Sequence, residues 1–116
     1  MTFEDLVAEA LDSLPEDIAA LINNVDIVVE DEPPQEYVRG LPRGHTLFGH
    51  YHGIPLTGRS VYDRALPDKI SIYRGPITRF FRSPDRIREQ VRKTVIHEIG
   101  HHFGIDEARL HELGWG

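Results

Sequence analysis

The sequence predicts an α+β fold in which a small mixed sheet packs against one long helix. Two short helical stretches open the chain, three β-branched or alternating stretches follow, and a long capped helix begins after Ser83. That order, α-α-β-β-β-α-α, gives one sheet and one dominant helix to share a core.

Thr2 followed by Asp5 has the form of a capping box, and Phe3, Leu6, Val7, Ala10, Leu11 and Leu14 recur at helical spacing. Pro15 breaks this helix and suits the first turn of a second, Glu16 to Asn23. VDIVVE reads as a strand, and the proline- and glycine-punctuated EDEPPQEYVRGLPRG as a loop. TLFGHYHG is a second strand, followed by the turn-rich IPLTGRSVYDRALPD. KISIYRG alternates Ile70, Ile72 and Tyr73 with other neighbours and is a third. Pro76 opens a helical turn through Phe81. Ser83 then N-caps, with Pro84 at N1 and Asp85 in the first turn, a helix that runs to about Phe103. Gly104 supplies its left-handed C-cap, and a last helix spans Glu107 to Leu113 before Gly114.

A chain of 116 residues suits a single domain, 1–116, with one core. With 40% hydrophobic and 28% charged residues it reads as soluble and globular. No apolar run reaches the roughly eighteen residues of a membrane span, so no membrane partner is expected. The acidic start lacks the basic region of an export signal, and zero cysteines exclude disulfides and thiolate metal cages. A cytoplasmic monomer is the expectation. Net charge is −6, and no Lys or Arg precedes Arg39. The basic stretch RFFRSPDRIREQVRK reads as an exposed helix face, not a nucleic-acid arm, because an acidic chain is repelled by phosphates.

The chemistry lies in KTVIHEIGHHFGIDEARLHELGWG. Ile87, Val91 and Val95 form the core stripe of the long helix. His97 is about 200° around from Val95, and His101 is one turn beyond it, so both imidazoles leave one face, opposite that stripe. This is the spacing that two ligands of one tetrahedral metal need. Glu98 leans over the same point, where a carboxylate can take a proton from metal-activated water and pass it to a leaving amine. Gly100 costs about 1 kcal/mol against alanine in a helix interior, so something is expected to pack closely there.

Gly104 turns the chain back and can bring up a third ligand. Glu107 matches the HExxHxxGxx[DE] register, with Asp106 one residue off and His111 one turn into the last helix. HExxH alone arises by chance. The helix cap, the glycine at its offset and the following carboxylate together favour a metal site over a structural helix. Two histidines and a carboxylate suit Zn²⁺, though other divalent ions bind such sets. His102 points away from His101 and reads as a core histidine. His50 and His52 share one face of their strand and would be half-buried, with a second metal site the rarer reading; His45 is read as a surface histidine. Tyr51, Tyr62 and Tyr73 are candidate oxyanion donors, each more simply a core aromatic.

HEIGHHFGIDEARLHELGW, with GIPLTGRS and LPDKISIYRGPI upstream, resembles the small bacterial zincin-like metallopeptidases, the minimal zincins. The resemblance covers nearly the whole chain. It implies a zincin-like α+β fold, His97 and His101 as metal ligands, Glu98 as catalytic acid/base, and Glu107 or Asp106 as third ligand. A peptide or protein is the implied substrate. The Met-turn of metzincins is absent, since Met1 is the only methionine. The residues from Glu107 to Gly116 are too few for the C-terminal subdomain of larger zincins. A zinc-binding module that binds peptides without cleaving them is therefore the alternative.

Overall fold

The computed structural model describes residues 2–22, 25–41, 46–53 and 68–112. The expected positions His45, Tyr62, Leu113 and Gly114, and the turn-rich stretch up to Asp68, lie outside them. In chain order the elements are helices α1 (Phe3–Asp12) and α2 (Glu16–Leu21), strand β1 (Val25–Glu30), helix α3 (Gln35–Val38), strands β2 (Gly49–His52) and β3 (Asp68–Tyr73), and helices α4 (Arg74–Phe80), α5 (Pro84–His102) and α6 (Glu107–Glu112). This is the α+β architecture that the sequence predicts, a three-stranded mixed sheet against one long helix. Among the described residues no helix is long and apolar enough to cross a membrane.

The start signals are physical. The Thr2 hydroxyl accepts from the Asp5 amide and the Asp5 carboxylate accepts from the Thr2 amide, which completes the capping box of α1. The Ser83 side chain caps α5 by accepting from the Arg86 amide, with Pro84 at the first helical position, where no amide proton is needed. Two elements depart from expectation. Residues 35–38, expected as loop, form one helical turn launched by Pro34, whose fixed φ suits a helix entry. α4 starts at Arg74, before Pro76, because a proline in the first turn displaces no helical hydrogen bond.

The strand order is β1-β3-β2. β1 runs parallel to β3 with Ile27 opposite Ile70, and β2 runs antiparallel to it with Tyr51 also opposite Ile70. β3 is thus central, and its alternating sequence is buried almost throughout, including Ser71 at 0% exposure. A central strand covered on both faces loses the in-and-out burial that alternation predicts. β2 takes the edge. One sheet face carries Ile70 and Ile72 into a cluster with Val7 and Ala10 of α1 and Val91, Val95 and Ile99 of α5.

Because Ile70 is fully buried at the centre of this cluster, Ile70→Ala is expected to cost about 2–5 kcal/mol. Chemical denaturation would measure the loss.

Candidate metal centre

The centre is assembled at the C-terminal end of α5 by a fold-back that can be traced bond by bond. Gly104 adopts φ +83, the left-handed conformation that lets the helix end. The Gly104 amide donates to the His101 carbonyl at 2.9 Å and the Ile105 amide to the Gly100 carbonyl at 3.0 Å. This pair is a Schellman turn, and it satisfies carbonyls that the helix end would otherwise leave open. The Asp106 carboxylate accepts from the Arg109 amide at 2.8 Å and so starts α6. Leu110 of α6 is fully buried. A Cβ on Gly100 would lie 2.4 Å from Leu110 Cδ2, so the glycine is the notch that admits this side chain. The close packing expected at Gly100 is this contact.

With α6 docked, the Glu107 carboxylate returns over α5. Its Oε1 lies 2.8 Å from His97 Nε2 and 2.8 Å from His101 Nε2, and the two nitrogens are 3.2 Å apart. The rings meet edge-on, with centroids 4.8 Å apart. A neutral imidazole carries one proton. The Nδ1–H of His101 donates to the Ile105 carbonyl at 3.1 Å, which directs Nε2 at the Glu107 carboxylate. Two ring nitrogens and a carboxylate oxygen directed at one point can share a proton in hydrogen bonds or, in its place, a metal ion. Around a tetrahedral zinc with bonds near 2.0–2.1 Å, donor atoms stand roughly 3.3 Å apart, close to the spacings here. The residues present therefore fit such an ion. Asp106 lines the same cleft, with one carboxylate oxygen engaged at the cap of α6.

Glu98 lies beside the cluster, and one donor atom from each of His97, Glu98 and His101 falls within 4.8 Å of the others. It is 7% exposed. Burial raises its carboxyl above the ordinary range, while the His97 and His101 rings and a hydrogen bond from the Tyr51 amide act in the opposite direction. For Glu107 burial also opposes ionisation, but its hydrogen bonds to His97 and His101 win and hold its carboxyl low.

The covered arc of α5 is wider than its aliphatic stripe alone suggests. Thr94 and Glu98 are buried as well, so the covered arc of α5 extends to the edge of the histidines, whose side chains are only 19% and 25% exposed. The cause is Gly49. A Cβ there would meet Thr94 Cγ2 at 2.6 Å and Glu98 Cγ at 3.3 Å, so its absence lets β2 settle directly on α5. Between them runs a cleft of about 870 Å³ lined by residues 46–51, Lys93, His97, Glu98, His101 and Glu107.

His102 is 3% exposed and its Nδ1 pairs with Asp68 Oδ2 at 2.6 Å, as a core histidine. Tyr51 donates its hydroxyl to the same oxygen at 2.6 Å. Sequence reasoning does not single out Asp68, because its place at the start of a strand carries no signal of a buried charge. His50 and His52 are half-buried and packed on each other, with His50 stacked on Tyr37 at 4.6 Å. They form no second three-residue metal group among the described residues. Tyr73 is fully buried.

The model of the zincin-like metallopeptidase family matches residues 22–115, and the chain belongs to that family. No curated protein matches the sequence. Among solved structures, a conserved hypothetical protein from Thermo thermophilus is similar, with a TM-score of 0.61 and 25% identity, over 88% of this chain and 91% of that one.

Gly49→Ala is expected to push β2 off α5 and to destabilise the fold by about 1–3 kcal/mol, the usual cost of overpacking. Thermal unfolding of the variant beside the parent protein would test this.

Proposed function

We propose that this member of the zincin-like metallopeptidase family hydrolyses peptide bonds, with zinc held by His97, His101 and Glu107 and protons carried by Glu98. The observation that supports it best is the convergence of His97 Nε2, His101 Nε2 and Glu107 Oε1 at separations of 2.8–3.2 Å. Zinc at such a site polarises a carbonyl and lowers the pKa of water towards about 7.

The protein's own groups supply the rest. Glu98 is buried next to the donors and outside their triangle of closest contacts, so it is free to accept a proton from the attacking water. Its burial raises the carboxyl, which makes it a stronger base towards the attacking water than an exposed glutamate, and the proton it then holds is in place for the leaving amine. The Ile105 carbonyl fixes the His101 ring through Nδ1, so that Nε2 stays available. Edge strand β2 borders the cleft, and an extended peptide beside it would find backbone donors and acceptors. Tyr51 and His50 line the same cleft and stand nearest such a substrate.

Zinc added to metal-free protein is expected to raise its melting temperature, by the equivalent of about 4 kcal/mol at a thousandfold excess over Kd, and a chelator to reverse the gain. Loss of an outer hydrogen-bond partner of a ligand costs roughly 10–100-fold in affinity, so Glu107→Ala should cost about 100-fold or more. Unchanged zinc affinity in that variant would remove Glu107 from the ligand set.

Glu98→Gln is expected to keep zinc and to abolish zinc-dependent cleavage of a diverse peptide library, read by mass spectrometry. Equal cleavage by both proteins would take Glu98 out of the mechanism. Zinc-dependent stability with no cut by the parent protein would leave a peptide-binding module in place of a peptidase.

A further inference from the structure

Asp68 is a buried carboxylate that the proposed reaction does not use, yet it is tied to both halves of the site. It is 3% exposed at the first position of β3, paired with Val25 of β1. Its Oδ2 accepts at 2.6 Å from the Tyr51 hydroxyl and at 2.6 Å from His102 Nδ1–H. These two donors lie 3.4 Å from each other and come from different elements, β2 and α5. Gly53, just past β2, leaves room for the arrangement, since a Cβ there would stand 2.5 Å from Asp68 Oδ1.

Each arm continues to a different part of the centre. The residue that gives its hydroxyl to Asp68 gives its backbone amide to Glu98. The imidazole that pairs with Asp68 belongs to the residue after His101, in the last turn of α5. A buried carboxylate binds its donors firmly, because leaving it unpaired is far costlier than leaving an exposed one unpaired. One oxygen thus fixes the height of β2 over Glu98 and the rotation of the helix turn that bears His101.

We infer that Asp68 is a positioning residue of the metal centre, acting on Glu98 through Tyr51 and on His101 through His102. Its effect on zinc rests on the metal-centre reading above, whereas its hold on Tyr51 does not. Among the described residues Asp68 lies outside the donor triangle and meets the cleft lining at Tyr51 and Gly53. Its influence passes entirely through hydrogen-bonded neighbours.

The test uses the full chain. Asp68→Asn is expected to lower zinc affinity by up to about 10-fold, the lower end of the range for a direct outer partner of a ligand because Asp68 acts one residue removed from His101, in competition with a chromophoric chelator. Val91→Ala serves as a control, because it opens the core on α5 well before the histidines. It should destabilise the fold and leave zinc affinity unchanged. Equal affinity loss in both variants, or none in Asp68→Asn, would overturn the inference.

Tyr51→Phe keeps the Asp68–His102 pair and covers the case in which Asp68→Asn fails to fold. It should retain zinc affinity while hydrogen exchange at the residue 51 amide quickens about tenfold relative to core amides, in line with the loss of one net hydrogen bond. That exchange is read in metal-free protein. Failure of the parent to bind zinc would refute the metal centre alone, and an unaltered residue 51 amide would refute the Tyr51 arm alone.

Discussion

Three electron-rich atoms held within 3.2 Å of one another are the constraint on which the rest of this structure turns. A helix supplies two of them at no special cost, because residues four apart are neighbours on its surface. The third must be forced back across a chain reversal, and Glu107 is otherwise an exposed residue on a helix of six residues. Isolated helices of that length do not persist in water. What keeps α6 in place is Leu110 in the Gly100 notch, and full burial of a leucine is worth about 1.5–3 kcal/mol.

Glu98 poses a different problem. On the proposed reading, a proton carrier beside two imidazoles must neither wander into solvent nor displace a ligand. Burial on the Thr94 side of α5 meets the first requirement and raises the carboxyl. The Tyr51 amide meets the second by giving the carboxylate a fixed partner on the strand. Both depend on Gly49, because any larger residue would lift β2 from the helix at the level of Thr94 and Glu98. The edge strand is thus part of the site before any substrate is considered.

Much of this is legible in the sequence, for identifiable reasons. The caps at Thr2 and Ser83 and the turn at Gly104 are local events, and local chemistry decides them. The sharing of one helix face by His97 and His101 follows from helical pitch alone. The helical turn at 35–38 escapes a sequence reading because its prolines serve equally well as loop punctuation. Only tertiary contact, with Tyr37 stacked on His50, distinguishes the two. The near-complete burial of β3 escapes it too, because alternation reports one covered face and says nothing of a second. Asp68 is invisible for the strongest reason: a buried charge is defined by partners from distant segments, here 17 and 34 residues away.

Edge position gives β2 two incompatible-looking tasks that its pleat separates. Successive residues of a strand face opposite sides, so Gly49 and Tyr51 face α5 and serve Glu98 and Asp68, while His50 and His52 face away and pack with Tyr37. The strand's backbone edge is a third surface: β3 occupies one side of it, and on the other the Tyr51 amide already serves Glu98. On the proposed reading, a peptide that pairs with the other side engages main-chain groups without disturbing either set of side chains. A site built this way can hold its proton carrier rigidly and still accept varied sequences, since backbone pairing is blind to side-chain identity. Selectivity would then arise from the walls of the cleft beyond β2, where Lys93 and Phe48 lie.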